Sequence, residues 1–461
     1  MNRSNYIVAV EIGSSKIKGA VGKVDSAGIL TVKGIEEEHQ HPNHVRHGCV
    51  QNVKEVANEL NRVITKLNNY ISPAKISAVY LGVGGRSMKS VQTKVQMALA
   101  DDTEITHEIV DSLLERAVVI DSSTERLAIE PVEYRVNGKI QSDEPVGNLG
   151  HELSATVNIV SCRNQLLRNL KLSVSEKLNL PINGYIVRPM ALADLVMNSE
   201  ERRTGAMLVD CGAETTTVAI YKGGRMRYLA TIPLGSRHIT RDLTSMFPLE
   251  ERAEEVKCTV GDAHPETSAS KQPEEIDNAK INKIVVARAS EIIANIGAQV
   301  NYAGMTVSDL PGGIIIVGGG AMLKGFAEAL AQTTNMSVRR GSLPTTVRLA
   351  GNKISTAEDL DVISLLYYLA HRENISPCTQ VPAPPAPPVV NTGSTNSATA
   401  GTTTAGTTTA AGQPAEPDDF EDEEDEDLPG DIEPMKTGFW KSLKSKFSNL
   451  GTSASLDAFD D

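Results

Sequence analysis

Three apolar runs, far apart along the chain, each stop at a cluster of small residues. They are VAVEIGSSKIKG at residues 8–19, MLVDCGAETTTVAIY at 207–221 and IIIVGGGAMLKGF at 314–326. A short apolar run bounded by Gly, Ser and Thr predicts a buried strand entering a tight turn. Between these runs the apolar period switches. Residues 90–98 and 153–160 read as strands, 82–85 (GVGG) as a turn, and helices are predicted from 106 or 108 to 119 and at 164–178, 249–257, 321–331 and 360–369. Strand and helix patterns alternating over this length predict an α/β fold of two or three domains.

The apolar pattern stops after residue 373. From 376 to 414 the chain is almost wholly Pro, Ala, Thr and Gly, and an acidic run follows at 416–427. Such a segment cannot bury enough surface to offset its ordering entropy, so it predicts a disordered linker, with a reach of about 45 Å for roughly 60 residues. An apolar pattern then returns. In GFWKSLKSKFSNL (438–450), Phe439, Trp440, Leu443, Phe447 and Leu450 fall within an arc of about 100° on a helix, with Lys441 and Lys444 facing away. This predicts a small amphipathic helix. It is too short to span a bilayer and suited to lying in the headgroup interface, although a protein groove would also accept it. Five side chains at about 1.5–3 kcal/mol each, offset by ordering, give marginal binding for one helix and firm binding for a row of them.

The turns carry the candidate chemistry. Small residues let backbone amides approach an anion, and Gly13, Ser14 and Ser15, followed by Lys16, suit a phosphate. Asp210, ahead of Gly212, Thr215 and Thr216, suits Mg²⁺ held through water, and Glu11 stands similarly before the first turn. Gly318, Gly319 and Gly320, with Met322 just beyond, offer flat backbone for a base or an α-phosphate. Taken singly, each is also an ordinary tight connection.

Charge excludes one class of partner. Of 45 basic and 58 acidic residues, 12 acidic and no basic ones lie in 416–433, and 4 Lys against 3 Asp lie in 434–461, which leaves 41 basic and 43 acidic for 1–415. The body is nearly neutral, so no nucleic-acid partner is predicted. The five cysteines, Cys49, Cys162, Cys211, Cys258 and Cys378, form no CxxC pair, which predicts neither a zinc site nor a disulfide framework and points to a reducing cytoplasm. No run of 18 apolar residues occurs, and the first apolar segment is broken by Glu11.

In order and spacing the three turns resemble the phosphate-1, phosphate-2 and adenosine motifs of the actin, Hsp70 and sugar kinase superfamily. The stretch RAEEVKCTVG (252–261) is similar to the helix of bacterial actins that carries ribose and adenine contacts, with Glu254 and Lys257 at the matching positions. LGSRHITRDL (234–243), EPVEYRVNG (130–138) and PVGNLGHELSATVNIV (145–160) resemble the FtsA family of bacterial cell-division actin homologues over roughly residues 5–372.

That resemblance implies a two-domain actin-like ATPase fold with an inserted 1C-type subdomain. The expected boundaries are domain I at 1–189 with the insertion at 82–161, and domain II at 190–345 with a smaller subdomain at about 230–304. A return to domain I follows at 346–373, then the linker at 374–435, the membrane-targeting helix at 436–450 and a short tail at 451–461. The implied function is an ATP-binding, polymer-forming tether at the cytoplasmic face of the membrane at the division site. The implied partners are FtsZ, through its C-terminal peptide at domain II, further copies of the chain, other divisome proteins at 82–161, and an anionic membrane surface. Three departures from the superfamily pattern bear on turnover: Glu11 in place of Asp, Glu214 in place of a turn glycine, and Arg188 before Pro189, where many relatives orient the attacking water. They predict nucleotide binding with at most slow hydrolysis. A sugar or acetate kinase, or a pilus-assembly ATPase, remains the alternative.

Overall fold

The computed structural model describes residues 6–380, except 26, 119–120, 142–143, 265–277, 351–353, 356 and 373–374. Expectations for the linker beyond Gln380, for the acidic run, for the tail 451–461 and for the amphipathic helix with Phe439, Trp440, Lys441, Leu443, Lys444, Phe447 and Leu450 lie outside the described residues.

Two sheets organise the body. The first has six strands in the order Ile182–Val187, Val79–Val83, Ile7–Ile12, Lys16–Val24, Leu30–His39, Val347–Leu349. Its central strand Ile7–Ile12 is buried at every position, as expected where helices cover both faces. Helix Val53–Leu67 packs on Lys16–Val24 and Leu30–His39, and helix Leu360–Ala370 packs on Ile7–Ile12. Both helices press close. A Cβ at Gly19 would lie 2.7 Å from Leu67 and Val63, and one at Gly82 would lie 2.7 Å from Leu365.

The second sheet has nine strands. Its inner part runs Arg225–Ile232, Thr216–Lys222, Ala206–Cys211, Ile314–Val317, Val338–Arg340. In the first sheet and in this part of the second, the first three strands in sequence form an antiparallel meander and two later strands add in parallel beside the first; Val347–Leu349 adds in parallel at the opposite edge of the first sheet. The two halves therefore repeat one topology, which no sequence pattern announces.

The remaining four strands of that sheet, Lys89–Glu104, Leu149–Arg163, Thr124–Val136 and Lys139–Gln141, come from the inserted region. With helix His107–Glu115 they close a core of their own around Leu113, Tyr134, Leu153 and Val157. The insertion joins the second half through one strand pair, Ala230 with Lys89, reinforced by Asn158 Nδ2 donating to the Met226 carbonyl at 2.7 Å and Ser90 Oγ accepting from the Leu229 amide at 2.8 Å.

Predicted helix 164–178 is present, α-helical over Asn164–Lys171 and continuing as a π-helical turn, Leu172–Lys177. Two expectations need correction. Predicted helix 321–331 is instead a short 3₁₀ turn, Gly319–Met322, followed by helix Phe326–Thr334. Gly325, at φ 73°, breaks the two apart in a conformation that disfavours side chains. The linker also does not begin at 374. Cys378 is buried, the Ser376 amide donates to the Tyr80 hydroxyl at 2.9 Å, and Thr379–Gln380 pairs with Lys75–Ile76. Proline-rich composition hid this, because a two-residue strand has no periodicity to read.

Candidate functional site

The site is built on the repeated topology. Ile12 pairs with Ile17 and Cys211 with Thr216, so four residues make each hairpin turn. The Gly13 amide donates to the Lys16 carbonyl at 3.0 Å, and the Gly212 amide donates to the Thr215 carbonyl at 2.9 Å. Superposing the two halves in register matches Glu11 with Asp210, Gly13 with Gly212, Ser14 with Ala213, Ser15 with Glu214 and Lys16 with Thr215. The third turn lies against the second. At Gly318, φ is 87°, and a Cβ there would sit 2.5 Å from the Cys211 carbonyl and 2.7 Å from Asp210 Oδ1. Gly319 is open on the side where a Cβ would project. Gly320 is buried, while Met322 is exposed with its sulfur 3.4 Å from Arg340.

Arg188 joins the two matched carboxylates. It is the first residue of helix Arg188–Val196, and its guanidinium donates to Glu11 at 2.9 Å and contacts Asp210 at 2.7 Å without hydrogen-bond alignment. All three side chains are nearly closed to solvent, at 12%, 8% and 3% exposure. Burial raises the Glu11 carboxyl from 4.5 to about 7, against the pull of Arg188. Asp210 is raised for the same reason. Burial opposes the charge on Arg188, but Asp210 and Glu11 outweigh it and hold the guanidinium ionised. Beside this group Lys18 pairs with Asp361 at 3.2 Å and Asp359 at 3.3 Å and donates to the Glu358 carbonyl.

A second charge cluster spans the turns. Glu214 is buried, accepts the His47 amide at 2.7 Å, and pairs with Arg241 at 2.8 Å and Arg237 at 3.3 Å. Arg237 also donates to the Ser14 carbonyl at 3.0 Å, and Ser14 Oγ accepts the Gly48 amide at 3.0 Å. Burial works against the Glu214 carboxylate, but the His47 amide and Arg237 bring it below the usual range. Both arginines belong to helix Ser236–Leu243, whose first amides, of Ser236 and Arg237, donate to the carbonyls of Gly212 and Ala213. Gly235 permits that approach, since a Cβ there would lie 2.5 Å from the Ala213 carbonyl.

The other expected residues are placed as follows. Lys16 pairs at 2.7 Å with Glu37 on the neighbouring strand Leu30–His39, and the Ser15 carbonyl accepts the Gln40 amide at 2.9 Å. Thr215 is buried, and the Thr216 hydroxyl donates to the Leu234 carbonyl at 2.8 Å. Lys257, buried on helix Glu250–Thr259, reaches Glu254 at 2.7 Å and Thr240 at 3.0 Å, so these two join the helix that caps the second turn. Sequence reasoning missed Lys18, His47, Arg237, Arg241, Asp359 and Asp361. Only the four-residue spacing of Arg237 and Arg241, which puts both on one helix face, was there to be read.

Family comparison gives two matches, "Cell division protein FtsA" over residues 207–358 and "SHS2 domain inserted in FTSA" over 85–161. A curated relative, the cell division protein FtsA of Porphyromonas gingivalis, is 30% identical over 398 residues, covering 82% of this chain and 80% of that protein. The chain belongs to the FtsA family. Its role is that of an actin-like cell-division protein. FtsA of Borreliella burgdorferi is 25% identical, covering 82% of this chain and 94% of that one. Among solved structures, a type IV pilus PilM–PilN complex shares the fold at TM-score 0.57 and 16% identity, covering 79% of this chain and 98% of that one. No helix among the described residues of this FtsA-family chain is long and apolar enough to cross a membrane.

Glu11 and Asp210 stand where a hydrated divalent cation is expected. Magnesium bound through water needs carboxylate oxygens free to accept from its hydration shell. Arg188 engages one oxygen of each carboxylate, Glu11 Oε1 and Asp210 Oδ2, the latter without a hydrogen bond, so Glu11 Oε2 and Asp210 Oδ1 carry no hydrogen bond of their own; among the described residues no group of three or more His, Cys, Asp or Glu could ligate a metal directly.

Proposed function

We propose that this FtsA-family chain is an ATP-binding, filament-forming tether. It joins the FtsZ ring to the cytoplasmic face of the membrane through the helix at 436–450. One observation carries the nucleotide part: Arg237 contacts both hairpin turns at once, bonding Ser14 in the first and Glu214 in the second. Two amide-rich turns joined by a guanidinium make a cradle for a polyphosphate. In this reading Gly13, Ser14, Ser15, Gly212, Thr215 and Thr216 hold phosphates, Gly318 to Gly320 with Met322 receive the nucleoside, and Glu254 and Lys257 border it. Asp210 and Glu11 act through Arg188, and Lys16 remains a further phosphate partner. Hydrolysis is at most slow, because the position expected to orient water is occupied by an arginine with both amine groups engaged.

In this reading the domains keep the boundaries expected from the sequence, with the linker taken to begin after Gln380, because Thr379–Gln380 pairs with Lys75–Ile76. FtsZ docks on the smaller subdomain at about 230–304, and the insertion at 82–161 meets other division proteins. Sedimentation of the full chain with anionic vesicles tests the tether. Binding should rise with ATP, bring FtsZ into the pellet, and vanish when 436–461 are removed. Equal sedimentation of the truncated chain overturns the anchor, and a pellet without FtsZ overturns the partner. Rapid ATP turnover would favour the phosphotransferase alternative.

A further inference from the structure

Glu214 offers both carboxylate oxygens to donors. Oε2 accepts the His47 amide at 2.7 Å, and Oε1 accepts from Arg241 at 2.8 Å and from Arg237 at 3.3 Å. The side chain is 1% exposed. Its donors come from both halves of the body: His47 lies between the short strands Val45–Arg46 and Cys49–Val50, whereas the arginines lie on helix Ser236–Leu243. The same groups touch the first turn, since the Gly48 amide donates to Ser14 Oγ and Arg237 donates to the Ser14 carbonyl. The carboxylate therefore sits at the seam between the two turns. A backbone amide and two guanidiniums converging on one buried anion form the kind of donor set that a phosphoryl group takes. Here the chain supplies the anion itself.

We propose that the Glu214 carboxylate stands in for the terminal phosphate of a nucleotide, so that the cradle holds a diphosphate and gains little from a third phosphate. The inference rests on the nucleotide-binding reading above and names the nucleotide that this site favours. Its logic is charge balance. Glu214 and Glu250 offset Arg237 and Arg241, Lys16 is paired with Glu37, Lys18 with Asp359 and Asp361, and Arg188 lies between Glu11 and Asp210. Each of these cations already has its counter-ion. A third phosphate arriving at the seam would meet a buried carboxylate, and repulsion between charges closed to water is little screened. To reach Arg237 and Arg241 it must displace Glu214, which would leave that carboxylate buried without its donors.

The test is calorimetric titration of the full chain, in Mg²⁺ buffer, with ADP and with a non-hydrolysable ATP analogue. For the wild type the triphosphate should bind no more than about fivefold tighter than ADP, and Glu214→Gln, which keeps the shape and removes the charge, should shift that ratio toward the triphosphate by more than about fivefold. Glu214→Ala should shift it the same way. A measurement on the wild type alone covers the case in which neither variant folds: beryllium fluoride, which fills a terminal-phosphate position beside ADP, should tighten ADP binding by no more than about fivefold. A wild-type preference for the triphosphate beyond that limit, or stronger tightening by beryllium fluoride, overturns the role of Glu214 and leaves the nucleotide reading intact. A ratio that Glu214→Gln moves by less than that limit does the same. Absence of binding by both nucleotides overturns the nucleotide reading and this inference with it.

Discussion

Ser14 and Ser15 in the first hairpin turn match Ala213 and Glu214 in the second, and the same glycine-anchored hydrogen bond closes both turns. Their side chains do opposite work. The first turn is a receiver, since the Ser14 carbonyl and hydroxyl accept from Arg237 and from the Gly48 amide. The second is an organiser, whose buried Glu214 gathers two guanidiniums and a backbone amide. A lone carboxylate in this turn would repel an anion. With Arg237 and Arg241 attached, and Glu250 3.5 Å from Arg237, the group as a whole is neutral. The lesson is that a repeated backbone fixes where groups lie, while the sign of the local field is set by partners that the repeat does not supply.

The strongest way to break the relation between the halves is to remove what joins their matched carboxylates. Arg188→Ala leaves Glu11 and Asp210 buried without their cation, and breaking such a pair costs about 3–5 kcal/mol. Urea denaturation followed by circular dichroism should show the loss. A change below about 1 kcal/mol would mean that the carboxylates find water or protons instead, and that the halves are not locked at this point.

A smaller effect separates the turns themselves. Glu214→Gln keeps the shape but withdraws the charge from both arginines, and should cost about 2–3 kcal/mol, whereas Ser15→Ala at the matching position should stay within about 0.5 kcal/mol. Equal costs at the two positions would erase the distinction between receiver and organiser. Arg241, 40% exposed, should matter less than Arg237, at 10%.

Much of this contrast was legible beforehand, and the reasons it was incomplete are physical. Strand runs ending in glycine announced all three turns, because a central buried strand is apolar at every position and its turn needs residues without bulk. Glu214 and Arg188 stood out as departures, but their meaning did not. Glu214 finds Arg237 and Arg241 on the helix that caps its own turn and the His47 amide in the other half, and such contacts leave no periodic trace in the chain. The insertion was visible as strands and a helix, yet its attachment to the second sheet rests on a single paired position, Ala230 with Lys89, and on side-chain hydrogen bonds of Asn158, Ser90 and Arg225, which no pattern encodes. The helix expected directly after the third turn failed because alanine and leucine propensity outweighed one glycine, Gly325, in the reading, though not in the structure.

The third turn offers a comparison between neighbours. Gly318→Ala forces a side chain into a positive φ and against the Cys211 carbonyl and Asp210, and should cost about 1–2 kcal/mol in denaturation. Gly319→Ala meets nothing within 4 Å and should leave stability within about 0.5 kcal/mol while weakening ATP binding. Unchanged affinity in the Gly319 variant would move the nucleoside away from this turn.

The smallest effect concerns protons and separates the matched pair from Glu214. The Glu11 carboxyl is raised from 4.5 to about 7, so the folded chain holds a proton there that the unfolded chain has released. Its contribution to stability is then fully present below about 4.5 and is lost as pH rises through about 7. Replacing it by Gln removes that dependence. The melting temperature of the wild type relative to Glu11→Gln should therefore fall by a few degrees between mildly acidic and mildly basic buffer, and Asp210→Asn should show the same sign because Asp210 is also raised. Glu214 is lowered instead, so its contribution is present above the unfolded carboxylate range and lost as pH falls, and Glu214→Gln should tilt the opposite way. If all three variants tilted in one direction, Arg188 would be holding Glu11 and Asp210 ionised as firmly as Arg237 and Arg241 hold Glu214, and the two carboxylate environments would be electrostatically alike.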